Sequence, residues 1–163
     1  MVMKTLVISL VMAAAGMLNS VSAANSSQRF AYNSDTDSTG VTTEYVYKVS
    51  EDGLYLYHHL KYRYIYDDSQ RLLCKEILRW DAVSEDYLPS YALHYTYTAD
   101  DTVSVELALW SKSDEAYTDV REKAVYAADA FGLTYQAYEY DVRHNVWQMT
   151  GEHEVEAMLM ADR

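Results

Sequence analysis

Residues Leu60–Pro89 read LKYRYIYDDSQRLLCKEILRWDAVSEDYLP, and this stretch decides the fold. Tyr62, Tyr64 and Tyr66 alternate with Lys61, Arg63 and Ile65, the period-two pattern of a strand. Asp67-Asp68-Ser69-Gln70 follows as an acidic turn, Leu72 to Trp80 reads as a second strand, and a polar loop leads to Tyr87. The same order returns twice. Tyr95 and Tyr97, the turn Ala99 to Thr102 and the strand Val103 to Trp110 form the next copy, Ser90–Asp119. Val125 and Tyr126, the turn Ala128 to Gly132 and the strand Leu133 to Tyr140 form the third, Val120–Met149. Trp80, Trp110 and Tyr140 are spaced by 30 residues, as are Tyr87, Tyr117 and Trp147. Fixed self-similarity of this kind marks a two-strand unit reused, each copy covering the next.

Working outward, Tyr45 and Tyr47 alternate with Val46 and Lys48 before a Glu51-Asp52-Gly53 turn, a hairpin signal that opens the structured region near Glu44. At the other end, His153 to Met160 reads as half a unit, as a terminal cap would. Short connections favour neighbouring antiparallel strands. The prediction is all-β: an antiparallel meander of eight or nine strands, built from units of about 30 residues, in one twisted and curled sheet. One segment conflicts with it. Between Asp114 and Phe131, Ala116, Val120, Ala124, Ala127 and Phe131 recur at helical spacing amid Glu, Lys and Ala. The register of Tyr64-Ile65-Tyr66 and Tyr95-Thr96-Tyr97 falls on the same segment, and the repeat predicts a strand there.

Lys4, an apolar run from Leu6 to Leu18 and small residues at Val21 and Ala23 make residues 1–23 a secretory signal with cleavage after Ala23. Residues 24–43, rich in Asn, Ser, Asp and Thr, read as a flexible leader, and 44–163 as the β-repeat domain. The protein is thus expected to be exported, periplasmic or extracellular, with no membrane-spanning segment in the mature chain. The chain carries 13 Lys and Arg against 25 Asp and Glu, a net charge of −12. Removing Lys4 leaves 12 − 25 = −13. The acidic balance disfavours nucleic acid, and none is expected as a partner, because phosphate backbones require a basic surface. The one cysteine, Cys74, rules out an internal disulfide.

Alternation assigns the two sheet faces. Leu73, Ile77, Val103, Val105, Leu107, Leu109, Leu133 and Tyr135 are expected in the core. The opposite face carries Glu76, Leu78 and Trp80, then Glu106, Ala108 and Trp110, then Gln136, Tyr138 and Tyr140. Rings flanked by acids and amides suit stacking on sugars or on an extended peptide, so Trp80, Trp110, Tyr138 and Tyr140 are the candidate ligand contacts. The alternative role is structural: an adhesin-like component self-associating through that face, or through open strand edges near Tyr45 and Met158. Glu152, Glu154 and Glu156 look like charges that blunt such an edge.

Catalytic chemistry finds little support. His58 and His59 fall on opposite faces of a strand, His94 and His144 stand alone, and His153-Glu154-Val155-Glu156 lacks the second His of the helical zinc motif, so no metal site is expected. Cys74 lies mid-strand without a glycine turn to expose it. With five glycines in the chain there is no phosphate loop, nucleophile elbow or dinucleotide fingerprint, and no cofactor is expected. Glu76 and Glu106, at equivalent places, are the one carboxylate pair to weigh as a glycosidase acid and base.

Tyr64-Ile65-Tyr66-Asp67-Asp68-Ser69-Gln70-Arg71-Leu72 resembles the tyrosine-aspartate (YD) repeat of bacterial Rhs-like wall proteins, in which a strand, an acidic turn and an Arg-Leu pair recur. The later copies depart from it: Thr98 follows Tyr97 where Asp would stand. Arg79-Trp80-Asp81 and Glu122-Lys123-Ala124-Val125-Tyr126 resemble a family of small secreted Bacteroides-type proteins grouped as a domain of unknown function. That likeness spans nearly the whole mature chain. It implies an exported β-repeat protein and supplies no catalytic residues.

The acids Asp67, Asp68, Asp100, Asp101 and Asp129 are read as turn formers and not as calcium ligands. Thermal melts with and without a chelator are expected to share one midpoint; a lower midpoint with chelator would make them ligands.

Overall fold

The computed structural model describes residues 28–98, 102–128 and 132–156. They form nine strands: β1 Phe30–Thr36, β2 Thr42–Val49, β3 Leu56–Tyr66, β4 Leu72–Asp81, β5 Asp86–Tyr97, β6 Thr102–Ser111, β7 Ala116–Ala128, β8 Gly132–Asp141 and β9 Val146–Glu156. All nine lie in one antiparallel sheet in chain order, and no helix occurs among the described residues. This is the expected open meander.

The contested segment is strand β7, paired with β6 on one side and β8 on the other. Helix propensity separates ordinary residues by at most about 0.7 kcal/mol each. Pairing with β6 along the strand, pairing with β8 from Glu122 to Ala128, and the burial of Ala124 and Tyr126 outweigh it.

The sheet also begins earlier than the sequence reading placed it. Strand β1 lies inside the segment 24–43 read as a leader, and pairs with β2 from Phe30↔Lys48 to Thr36↔Thr42. Residues 24–27 lie outside the described residues. The β1–β2 turn has the geometry of the β3–β4 turn. The Asp37 carboxylate accepts the amides of Thr39 at 2.8 Å and Val41 at 3.1 Å; that of Asp67 accepts those of Ser69 at 2.9 Å and Arg71 at 2.8 Å. Gly40 and Gln70 hold positive φ at the same step. The Asp-x-Ser/Thr signal at Asp37 stands 30 residues before Asp67, but the weak apolar alternation around it concealed the strand. Tyr45 is therefore in an inner strand, not at an edge. Met158 lies outside the described residues.

The loops at the other end of the hairpins share a geometry too. Glu85, Glu115 and Asn145, each 30 residues from the next, all take positive φ. Each loop is clamped by a cross-strand ring pair, Trp80–Tyr87 at 5.0 Å, Trp110–Tyr117 at 4.9 Å and Tyr140–Trp147 at 5.1 Å between centroids. Such pairs add about 0.5–1.5 kcal/mol beyond area burial.

Bulges set which side chains share a face. The registers leave one residue unpaired at His59 in β3, Ser90 in β5, Thr118 and Arg121 in β7 and Thr150 in β9. Each extra residue re-aims those that follow. In β4 the extra residue is Leu73, opposite the Ile65/Tyr66 step. Leu72 then fills the core at 4% exposure, and Leu73, expected there, is 40% exposed. Leu109 pairs with Tyr91 but is exposed. The core cluster comprises Leu72, Ile77, Leu93, Tyr95, Val103, Val105, Ala124 and Tyr126, with Leu107, Leu133 and Tyr135 packed against it.

The bulge makes a sharp prediction. Leu72→Ala should destabilise the protein by about 2–5 kcal/mol, and Leu73→Ala by well under half as much, in denaturant melts. Equal losses would contradict the register at Leu73.

Candidate functional site

On the core-side face, the end of the sheet nearest β1 carries a hollow of about 580 Å³, lined from β1 to β5. Cross-strand rows build it. Tyr32, Val46, Leu60 and Arg79 form one row; Glu44, Tyr62, Ile77 and Tyr91 form the next; Tyr64 and Lys75 pair beside them. The bulge in β3 lets His59 line the hollow together with its neighbour Leu60, and its ring stacks on Phe30 at 5.6 Å. His58 points the other way and stacks on Trp80 at 4.3 Å.

The floor of the hollow is polar. Lys75 is 8% exposed, the one charged residue among the buried residues described. Its ammonium lies 4.2 Å from the Tyr62 ring centroid and 5.3 Å from that of Tyr64. Burial lowers its pKa from the usual lysine value, with Glu44 opposing. The Tyr64 hydroxyl donates to the Glu44 carboxylate at 2.9 Å. Burial, then Glu44, push the Tyr64 phenol far up, and burial takes Tyr62 to about 12. His59 is lowered, chiefly by burial, then by the positive charges of Lys48 and Arg79. Such a site can hold a flat ligand between rings and fix it through a cation and a carboxylate.

The residues singled out from sequence lie on the opposite face and belong to separate groups. Trp80 is packed between His58 and Tyr87. Trp110 meets Tyr117 edge-on. Tyr138 donates to Gln136 at 2.9 Å and lies under Lys123, which also covers Trp147 at 4.4 Å. Tyr140 donates to Asn145 and, with Trp147, borders a second hollow of about 370 Å³ that includes Glu106 and Val120. Sequence alternation found these rings but not the β1–β5 hollow, because β1 and the β3 bulge both had to be known first.

The chemistry weighed from sequence is reshaped. Glu76 and Glu106 are not on neighbouring strands, since β5 runs between β4 and β6. Glu76 instead accepts from Arg63 at 2.6 Å. Burial raises the Cys74 thiol to about 11, away from the reactive thiolate. Among the described residues no group of three or more His, Cys, Asp or Glu is placed to hold a metal. No described helix is long and apolar enough to cross a membrane.

The model of DUF3836, a family of unknown function, matches residues 1–128. The chain belongs to this family. The matched span of DUF3836 contains the entire β1–β5 hollow, whereas Tyr138 and Tyr140 lie beyond it. A Bacteroides fragilis protein of unknown function has a similar structure, with a TM-score of 0.65 at 20% identity, covering 79% of this chain and 94% of that one. A DUF3836 protein from Parabacteroides distasonis gives 0.52 at 18% identity, covering 61% and 91%. These likenesses concern the fold. A comparison with curated proteins finds no match.

Tyr62, Tyr87, Tyr117 and Tyr126 all lie near 12, raised first by burial from 10.0. Because the folded-state values lie above the unfolded one, the associated stability is complete below pH 10 and is lost as pH rises towards 12. Alkaline titration should therefore release tyrosinate absorbance together with the strand signal in that window. Smooth titration of every tyrosine near 10 in an intact sheet would contradict this burial.

Proposed function

We propose that the chain is a non-catalytic, exported binding module whose ligand seat is the ring-lined hollow between β1 and β5, with a glycan as its ligand. The observation that carries this reading is the meeting of Phe30, Tyr32, Tyr62, Tyr64 and Tyr91 around a floor of Glu44 and Lys75. Rigid rings present flat faces at low conformational cost, and a few placed polar groups fix orientation. An extended peptide draws its affinity from main-chain hydrogen bonds at a sheet edge. This hollow offers side chains on a sheet face instead, which favours stacked sugar rings. Export rests on the signal-like residues 1–23, and the 30-residue spacing of turns and ring pairs supports a repeat design akin to tyrosine-aspartate arrays.

The four rings chosen from sequence take a different role in this reading. Trp80, Trp110 and Tyr140 clamp hairpin loops, and Tyr138 is capped by Lys123, so their faces are largely engaged.

A glycan array with the native protein and two variants tests the proposal. Tyr32 is 62% exposed, so Tyr32→Ala should leave the fold intact and weaken glycan binding by roughly tenfold, the scale of one lost ring contact. Trp110→Ala should lower the melting temperature and leave binding unchanged. No glycan bound by native protein, or binding lost with Trp110 alone, would overturn it.

A further inference from the structure

Resting on that reading, we propose that the β1–β5 hollow selects acidic glycans, with Lys75 receiving the carboxylate of a uronate or sialate residue seated among the rings of the hollow. Three observations carry this. First, Lys75 is the most deeply buried of the three strand lysines that lie over rings. Lys61 over Tyr45 and Tyr87, and Lys123 over Tyr138 and Trp147, are both more exposed. Second, no ion pair with Lys75 is found among the described residues; the nearby carboxylate of Glu44 takes the Tyr64 hydroxyl. The ammonium, held over two rings with Glu44 near it, has no charge-assisted hydrogen bond of its own among the described residues, and a ligand carboxylate supplies one. Third, the charge here opposes that of the chain. Glu44 is the one acid lining the hollow, against Lys75 and Arg79, in a protein of net charge −12. Lys48, paired with Phe30 at the rim, adds a further positive charge. An acidic surface around a basic hollow draws an anion to this one place and repels it elsewhere.

Calorimetric titration of the native protein with a panel of uronate- and sialate-bearing oligosaccharides, each beside its methyl ester, tests the inference. The ester keeps the ring and removes the charge. The acid is expected to bind at least roughly tenfold more tightly than the ester for one member of the panel, the scale of a hydrogen bond between charged groups. Lys75→Met, which keeps the side-chain length without the charge, should equalise acid and ester. Arg79→Gln, at an exposed position, should narrow the gap while leaving the melting temperature unchanged. Equal binding of acid and ester by native protein, or a gap that survives in both variants, overturns the carboxylate selection and leaves the glycan reading standing. Tighter binding of an acidic peptide than of any acidic glycan overturns the ligand class. Absence of binding by every glycan, charged or neutral, overturns both proposals.

Discussion

A sheet in one layer has no second layer to lie against, so its buried surface must be made by neighbours on adjacent strands. The core cluster here is a set of cross-strand rows on one face, such as Lys75–Leu93–Leu107 and Tyr97–Val103–Tyr126–Tyr135. Strands stand about 4.8 Å apart, a gap that a tyrosine ring spans while its hydroxyl reaches towards water. That explains why a chain with two phenylalanines carries 17 tyrosines. Among the described residues Ile77 is the largest side chain buried completely. Tyr95 shows the cost at the centre of the cluster, where its hydroxyl is buried with no hydrogen-bond partner. An unsatisfied group of that kind costs about 1–3 kcal/mol, which the surrounding apolar contacts must offset.

From this constraint follows the placement of everything polar. Several aspartates sit in turns, where Asp37 and Asp67 accept amides of their own loops, or at the loop ends, where Asp81 accepts the amide and hydroxyl of Ser84. Three mid-strand lysines are each held over a pair of rings. Acids occupy the strands as well, Glu44 in β2, Glu76 in β4 and Glu106 in β6, and Glu76 is paired with Arg63.

Much of the architecture was legible because it depends on period and turn chemistry. Alternating tyrosines and acidic turns are local signals, and the 30-residue spacing was strong enough to override the helical pattern around Ala116 to Ala127. What escaped depends on register. Nothing local distinguishes Leu72 from Leu73; only the pairing of Ile65 with Cys74 and of Tyr66 with Leu72 shows which one is extra. Strand β1 escaped because Ala31, Asn33 and Asp35 alternate with exposed partners, so its apolar pattern is faint. The site escaped for both reasons, since Tyr32 comes from β1 and His59 from a bulge. Three of the rings read as contacts, Trp80, Trp110 and Tyr140, pair with a ring across the hairpin, and periodicity does not reveal this, because stacking on a neighbour and stacking on a ligand require the same residues.

The location of the hollow is a consequence of how the rows change along the sheet. In the middle strands the core face is closed by Ile77, Leu93, Val105 and Ala124, short side chains that meet edge to edge. Towards β1 the same rows substitute Glu44, Tyr62, Tyr64 and Lys75, and β1 itself contributes Tyr32 largely exposed. A row of longer, polar-tipped side chains cannot close over itself without burying its own charged ends. The face therefore opens at this end, and what remains uncovered is a set of ring faces around one ammonium. Replacing Lys75 by an aliphatic residue would extend the apolar row of Leu93 and Leu107 one strand further towards β1.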